Sequence, residues 1–471
     1  MAGQAQLETL IEFDKWIKGI NDENVETLFK KKYNRYKPQL GQYDVKFISY
    51  SFDTTFGSSA TIKIDRTSEF DIIGGMFLYF RLPFVPNQET IDSLRVYKAW
   101  CNKIGFALVE SISLKFQTRE IETLRDDIMY ILYTISSSKD IDDVMLADIT
   151  DIEFAETIVA LDIYVPLCFC SDRINLGIDL RIQEEVSLVL NTRNILDLLV
   201  IGPTHFFTVD NPFGFIAFVQ GEYIEQAGTG ALGRFLYFDS GFVYYIKANS
   251  NVLLSSGTNL VFGLTSNFFV LPTSNESIIE IDVSFINNLE LLECKLIAEV
   301  IKERSDLQTS GAVWTNPVDP LYLLYEKVIF AGEVLNSISE KSLSLNISDP
   351  CKYLIWYCIL SDNIFLKNRY NFTDSIIPGI GNNLIFRNSI LVDQNSTNIS
   401  INEYYDQLAK LEMFEKPLKG VNIYSFNLYQ KLVNPNGWLN FDGITNKKIN
   451  IVTLDGVSIR LRAYGIVYVR I

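Results

Sequence analysis

From about residue 43 onward the chain alternates apolar and polar residues. Ile62 and Ile64 stand among polar neighbours. Ile112, Leu114 and Phe116 alternate with Ser111, Ser113 and Lys115, and Leu343, Leu345 and Ile347 with Ser342, Ser344 and Asn346. Val457, Ile459, Leu461 and Ala463 repeat the pattern near the C-terminus. Successive side chains of a strand point to opposite faces, so this period buries one face and leaves the other wetter. Strand-like segments recur near 43–52, 72–82, 158–170, 180–190, 234–246, 278–301, 321–330, 352–360, 420–429, 447–453 and 457–471. Turn signals punctuate them: Phe56-Gly57-Ser58, Asn211-Pro212, Asp349-Pro350, Pro435-Asn436-Gly437 and Asp455-Gly456. Strands outnumber helices and no β-α-β rhythm occurs, which sets aside a parallel α/β sheet and points to an all-β, sandwich-like chain.

Helical periodicity is brief. Leu7, Leu10, Ile11, Trp16, Ile17 and Ile20 predict a short amphipathic helix, and a second piece carries Val25, Leu28, Phe29, Tyr33 and Tyr36. That piece also holds the dense basic cluster Lys30, Lys31, Lys32, Arg35 and Lys37, either a solvated face or an arm for an anionic partner. A long helix is expected over Arg119–Ser137, with Ile121, Leu124, Ile128, Ile131 and Leu132 on one face. Residues 302–320, charged and then Pro-containing, form the best linker candidate. The part before it is too long for one plain eight-stranded sandwich, so an insertion is expected at about 192–277, rich in Phe, Gly, Ser and Asn. The expected organisation is an arm at 1–42, a first sandwich at 43–305, a linker at 306–320 and a second sandwich at 321–471.

Composition narrows the chemistry. Lys and Arg number 41 against 57 Asp and Glu, a net charge of −16, which argues against broad nucleic-acid binding. His205 is the one histidine, so neither HExxH nor a facial histidine pair can exist. Gly228-Thr-Gly230-Ala-Leu-Gly233 spells a dinucleotide fingerprint, but a strand-like run follows where a helix is required, so it reads as a β-loop. The acidic stretch from Asp140 to Glu156 lacks calcium-loop spacing and reads as solvated. Neither a P-loop nor GxSxG occurs. The six cysteines include no CxxC, and Cys168 and Cys170 read as buried strand residues, so reduced thiols are expected. Sequons stand at Asn275, Asn346, Asn371, Asn395 and Asn398, with chance occurrence the simpler reading. The first residues lack a secretory pattern and no apolar run reaches ~18 residues, so a soluble protein made in cytoplasm is expected. No catalytic, cofactor-binding or metal residue is nominated.

Against this empty catalytic search, several segments in order resemble the double jelly-roll major capsid proteins of nucleocytoplasmic large DNA viruses, of the algal-virus and iridovirus type. Thr27 to Tyr36 resembles that family's opening "FF/FK..Y.R" before the first strand, and Phe56-Gly57, Arg66 and Asp71-Ile72-Ile73 resemble its "FG…I.R.GD.I". Tyr164-Val165-Pro166-Leu167 is similar to its "YVPL" strand, and 281–305, closing on Glu303-Arg304, to the passage ending its first jelly roll. Asp349 to Trp356 resembles "HP.K.L.W", Gly420 to Leu428 "YSFAL", Asn434 to Ile444 "PSG..NFSRID", and Ala463 to Ile471 the closing "A.NYNVLRI". The chain departs from the pattern at Pro435-Asn436-Gly437, at the Ser and Arg of "SRID", and over 192–277.

The resemblance implies two consecutive eight-stranded jelly rolls with few helices and a β-rich insertion in the first. It implies a structural protein, not an enzyme, whose homotrimers form pseudo-hexagonal capsomers of an icosahedral shell. Its partners would be itself, neighbouring capsomers, minor capsid proteins and the inner viral membrane through the arm, without direct nucleic-acid contact. Its location would be the virion, after synthesis in host cytoplasm. Two alternatives stand beside it: a minor capsid or scaffolding paralogue on the same fold, and a two-domain β-sandwich glycan-binding or hydrolytic protein.

Overall fold

The computed structural model describes residues 43–136 except 65–69, 71, 86–87 and 92–93. It describes 161–303 except 170–177, 180–184, 211–213, 215, 249–255 and 258, and 324–470 except 366, 373–384, 393–394, 399–419, 427–437, 443 and 454–455. The expected arm, the linker at 306–320, the acidic stretch, Cys170 and the Pro435-Asn436-Gly437 turn lie outside the described residues.

Alternation becomes strands wherever one face can be buried. The first half contains β1 (Tyr43–Ser51), β2 (Ser59–Ile64), β3 (Ile72–Leu82), β4 (Gln88–Ile91), β5 (Leu94–Trp100), α1 (Ile104–Leu108), β6 (Val109–Phe116), β7 (Arg119–Arg125), α2 (Asp126–Ser136), β8 (Leu161–Leu167), β9 (Ile178–Asp179), β10 (Val186–Thr192) and β11 (Leu199–Gly202). Then follow β12 (His205–Thr208), β13 (Tyr223–Gln226), β14 (Leu232–Asp239), β15 (Phe242–Lys247), β16 (Val261–Gly263), β17 (Phe269–Val270), β18 (Ser277–Ile278) and β19 (Glu293–Glu303). The second half contains β20 (Leu324–Asn336), β21 (Glu340–Ser344), β22 (Pro350–Leu360), α3 (Ser361–Phe365), β23 (Ile385–Val392), β24 (Asn395–Asn398), β25 (Val421–Ser425), β26 (Leu439–Asn440), β27 (Lys447–Thr453) and β28 (Ile459–Arg470).

These strands form two jelly rolls. In the first, one sheet runs β1-β19-β3-β8 and the other β2-β10-β6-β7; in the second, β20-β28-β22-β25 faces β21-β27-β23-β24. Numbered along the chain, the eight main strands of each sandwich stand in the order 1-8-3-6 in one sheet and 2-7-4-5 in the other, joined antiparallel throughout. The alternation is visible in β2, where Ala60, Ile62 and Ile64 are buried between exposed neighbours. Facing side chains such as Leu78, Phe80, Leu114 and Leu188 fill the first core.

Between β10 and β19 the chain builds a further sheet, β17-β16-β13-β14-β15-β12-β18. It has its own aromatic core around Phe207, Phe218, Phe235 and Tyr245. Its base is anchored where Leu236, Tyr237 and Ile246 pack on Tyr97, and where β11 pairs with β5. Gly233 is needed here because a Cβ would sit 2.3 Å from Tyr245 Cδ2. Gly228 and Gly230, both at positive φ, close the hairpin turn between β13 and β14, so the fingerprint-like spacing belongs to a β-loop.

Two expectations change. The helix expected over Arg119–Ser137 begins only at Asp126; Arg119–Arg125 is β7, hairpin-paired to β6 around Gln117 at φ 55°. Ile121 and Leu124, three apart, fit a helical face, but the hairpin pairs this stretch with β6 along its length, and Ser113 and Thr123 bond across it at 2.6 Å. The expected strand over 278–301 is shortened to β19. Before it, Asp282 accepts from the Ser284 backbone N–H and hydroxyl, each at 2.9 Å, and turns the chain into a 3-10 segment, Ser284–Asn288.

Candidate functional site: the seam between the sandwiches

A dense buried polar network among the described residues lies where the two sandwiches meet. In β22 the run Tyr353–Ile359 is buried without a break. Such runs mark strands covered on both faces. Leu354, Trp356 and Cys358 face the second sandwich's own core, whereas Tyr353, Ile355, Tyr357 and Ile359 join the core of the first. In β28, Leu461 and Ala463 face inward while Tyr464 and Ile466 face the seam. The sheet β20-β28-β22-β25 is therefore the middle layer between two cores.

The first sandwich meets this layer with β7 and the start of α2. Glu122 accepts the Val328 backbone N–H at 2.7 Å, and Arg125 lies 4.1 Å over the Phe330 ring. Asp127, in the first turn of α2, is the centre of the joint. Its carboxylate accepts from the Tyr464 hydroxyl at 2.7 Å, from Arg462 at 2.8 Å and from the Tyr357 hydroxyl, all three from the second sandwich. The Ile128 N–H adds a fourth donor at 2.8 Å, and the helix N-terminus favours the negative charge. Burial alone would raise the Asp127 pKa; the Arg462 charge and the tyrosine and arginine hydrogen bonds outweigh it and hold the carboxyl below 3.8. Burial, and then the Asp127 charge, push both tyrosine hydroxyls well up.

Asp126, its neighbour, points the other way. Arg193 reaches it at 2.9 Å from beyond β10, while Arg193 Nε donates to the Ala107 carbonyl. Here burial dominates: despite Arg193, desolvation raises the Asp126 pKa, and the Asp127 charge adds to the rise. Lys367, just beyond α3, donates to the Leu196 and Leu199 carbonyls of the first sandwich, at the C-terminal end of a short 3-10 turn. Tilted ring pairs complete the joint: Tyr130 with Tyr370 at 4.7 Å, and Phe372 against Tyr357 at 4.5 Å.

A cavity of about 340 Å³ opens beside this network, bordered by the start of β6, the ends of β7, β10 and β22, and the start of β28. The insertion leaves the sandwich from the end of β10, so the cavity lies at the insertion's end of the seam.

The residues weighed from sequence fall elsewhere. His205 opens β12, its Nδ1 2.9 Å from Thr204 Oγ1 and its ring against Tyr245; burial lowers its pKa. Cys101, Cys294, Cys351 and Cys358 are buried free thiols, and Cys168 sits just past the end of β8. Among the described residues no cluster of His, Cys, Asp or Glu is placed to hold a metal, and no helix is long and apolar enough to cross a membrane. Asp126 and Asp127 are not among the residues weighed from sequence. The unbroken apolar run Tyr353–Ile359 was the available signal of a doubly covered strand.

Residues 27–211 match the family described as the major capsid protein N-terminus. A probable capsid protein 4 of Acanthamoeba polyphaga mimivirus is 22% identical over 459 residues, covering 89% of this chain and 86% of that one. Among solved structures, VP54 of PBCV-1, fitted into a reconstruction of the virophage Sputnik, superposes with a TM-score of 0.55 at 13% identity, over 93% of this chain and 97% of that chain. The Faustovirus major capsid protein does so with a TM-score of 0.55 at 10% identity, over 100% and 97%. The chain thus shares its double jelly-roll fold with these structures and resembles the capsid proteins of large DNA viruses along its length.

Proposed function

We infer that this chain is a structural capsid protein of the double jelly-roll type found in large DNA viruses, a component of the virion shell and not an enzyme. The observation that carries this reading is the same eight-stranded order occurring twice in one chain, the two copies locked by a buried seam. A rigid pair of similar sandwiches is one third of a pseudo-hexagon: three chains about one axis present six, so a trimer tiles a hexagonal position. Trimer formation also covers exposed apolar residues such as Val45 and Phe47 on the edge strand β1. The acidic balance of −16 keeps such a protein soluble at the concentrations that assembly needs.

The division into 43–305 and 321–471 with a linker at 306–320 is supported by β19 ending at Glu303 and β20 beginning at Leu324. In this reading the arm, 1–42, lies on the shell's interior side, where Lys30, Lys31, Lys32, Arg35 and Lys37 meet minor capsid proteins or the inner membrane. The insertion forms an outward tower that contacts its trimer mates. Host cytoplasm is the place of synthesis, and neighbouring capsomers are the remaining partners. The sequence departures at Pro435-Asn436-Gly437 favour, as second reading, a minor paralogue on the same fold. Copy number in purified particles separates the two: hundreds of copies or more per particle support the major role, a few dozen the minor one, and absence from particles removes both. Proteolysis of the same particles should cut within 192–277 and spare the arm.

A further inference from the structure

The cavity at the insertion's end of the seam has a wall chemistry that the joint itself does not use up. Five guanidinium side chains border it: Arg125, Arg193, Arg369, Arg460 and Arg462. Three carboxylates share the wall, Glu110, Asp126 and Asp127. Asp127 is consumed by Arg462 and two tyrosines, and Asp126 by Arg193. Glu333 reaches Arg460 at 3.2 Å and Arg462 at 2.6 Å. That leaves Arg460, whose Nε is buried without a hydrogen-bond partner despite the ion pair, and above all Arg369 poorly served. Its Nε is buried with no hydrogen-bond partner among the described residues, and its ion pair with the more exposed Asp197 is stretched to 4.0 Å. Arg125 has a ring beneath it, Phe330 at 4.1 Å.

Buried guanidinium N–H groups without acceptors are costly, and a charged acceptor offers the strongest relief. Guanidiniums present planar forks that match phosphate oxygens in pairs. The arginines come from both sandwiches, Arg125 and Arg193 from the first, Arg369, Arg460 and Arg462 from the second, so an anion held among them would bond across the joint. The volume, about 340 Å³, takes one or two phosphate groups and excludes a folded polymer.

We propose that this cavity is a binding site for a small polyanion of the phosphate class, orthophosphate or pyrophosphate, held between Arg369 and its neighbouring guanidiniums and bridging the two sandwiches. Occupancy stabilises the joint by mass action, since the site exists only when both sandwiches are in place.

The test is calorimetric titration of the full chain with orthophosphate and, separately, pyrophosphate at fixed ionic strength, with chloride as reference and citrate as a carboxylate control. One saturable site per chain and a raised melting temperature are expected. Arg369→Gln should weaken binding about tenfold or more, as expected for loss of a charge-assisted bond. Glu110→Gln, at an exposed position that removes a wall carboxylate, should tighten it. Absence of saturable binding at millimolar phosphate and pyrophosphate overturns the proposal, as does an affinity indifferent to both substitutions. Tighter binding of citrate than of either phosphate reassigns the site to carboxylates and overturns the phosphate class. If Arg369→Gln does not fold, Glu110→Gln decides alone: unchanged affinity counts against the site.

Discussion

Asp127 shows how one side chain can decide the placement of two domains. Its four donors satisfy a buried carboxylate that would otherwise be prohibitive, and three of them arrive from the other sandwich. Asp127→Asn leaves Arg462 buried with only Glu333 and should cost about 3–5 kcal/mol, read by urea denaturation. The pH dependence has a definite sign. The folded-state pKa of Asp127 is lowered, so its contribution is present above the ordinary value of 3.8 and is lost as pH falls through the lower folded value. Asp126 opposes it: its folded pKa is raised, so its contribution is present below 3.8 and lost as pH rises through the higher value. The Asp127 part of the stability difference between wild type and Asp127→Asn should therefore persist from neutral pH to about 4 and shrink only below it, while Asp126, relieved of the Asp127 charge, accounts for any change above about 4. A difference already vanishing at pH 6 would show that Asp127 is not ionised in the joint. Nothing in the sequence pattern marks this residue, because adjacent acids at a helix start are commonplace; only the fold brings Tyr357, Tyr464 and Arg462 to it.

Among the elements, those with one wet face could be read directly from sequence and those set by tertiary partners could not. β2 and β21 follow their alternation residue by residue. β7 does not, because Ile121, Leu124 and Ile128 stand three and four apart, a helical spacing, and it is the pairing with β6 that makes Arg119–Arg125 a strand. The stretch before β19 is diverted by the Asp282 turn, a local side-chain bond that apolar content does not report. Close approach is equally silent: Gly233 looks like a loop glycine, yet it makes room for the Tyr245 ring. Gly233→Ala should destabilise the β12–β18 sheet by about 1–3 kcal/mol through overpacking. Hydrogen exchange should then quicken within 205–278 while β20–β28 keep their protection. Uniform quickening across both sandwiches would instead make the insertion part of one cooperative unit with them.

For the whole molecule, the seam makes two jelly rolls behave as one body. A protease site placed within 304–323 should, after cutting, leave two fragments that migrate together on a sizing column, and adding Asp127→Asn should let them separate. Fragments that part immediately would show that covalent linkage, not the seam, holds the sandwiches. The resemblance motifs spread along the chain, falling in β8, β19, β22, β25 and β28 among others, made the double jelly roll readable from sequence. The locked pair matters to the proposed trimer, in which a fixed angle between sandwiches would let three chains close into a pseudo-hexagon. Sedimentation equilibrium of the purified chain measures that closure most directly. The account predicts a single stable species of three times 53.8 kDa persisting into the micromolar range and below; a monomer throughout that range would contradict it.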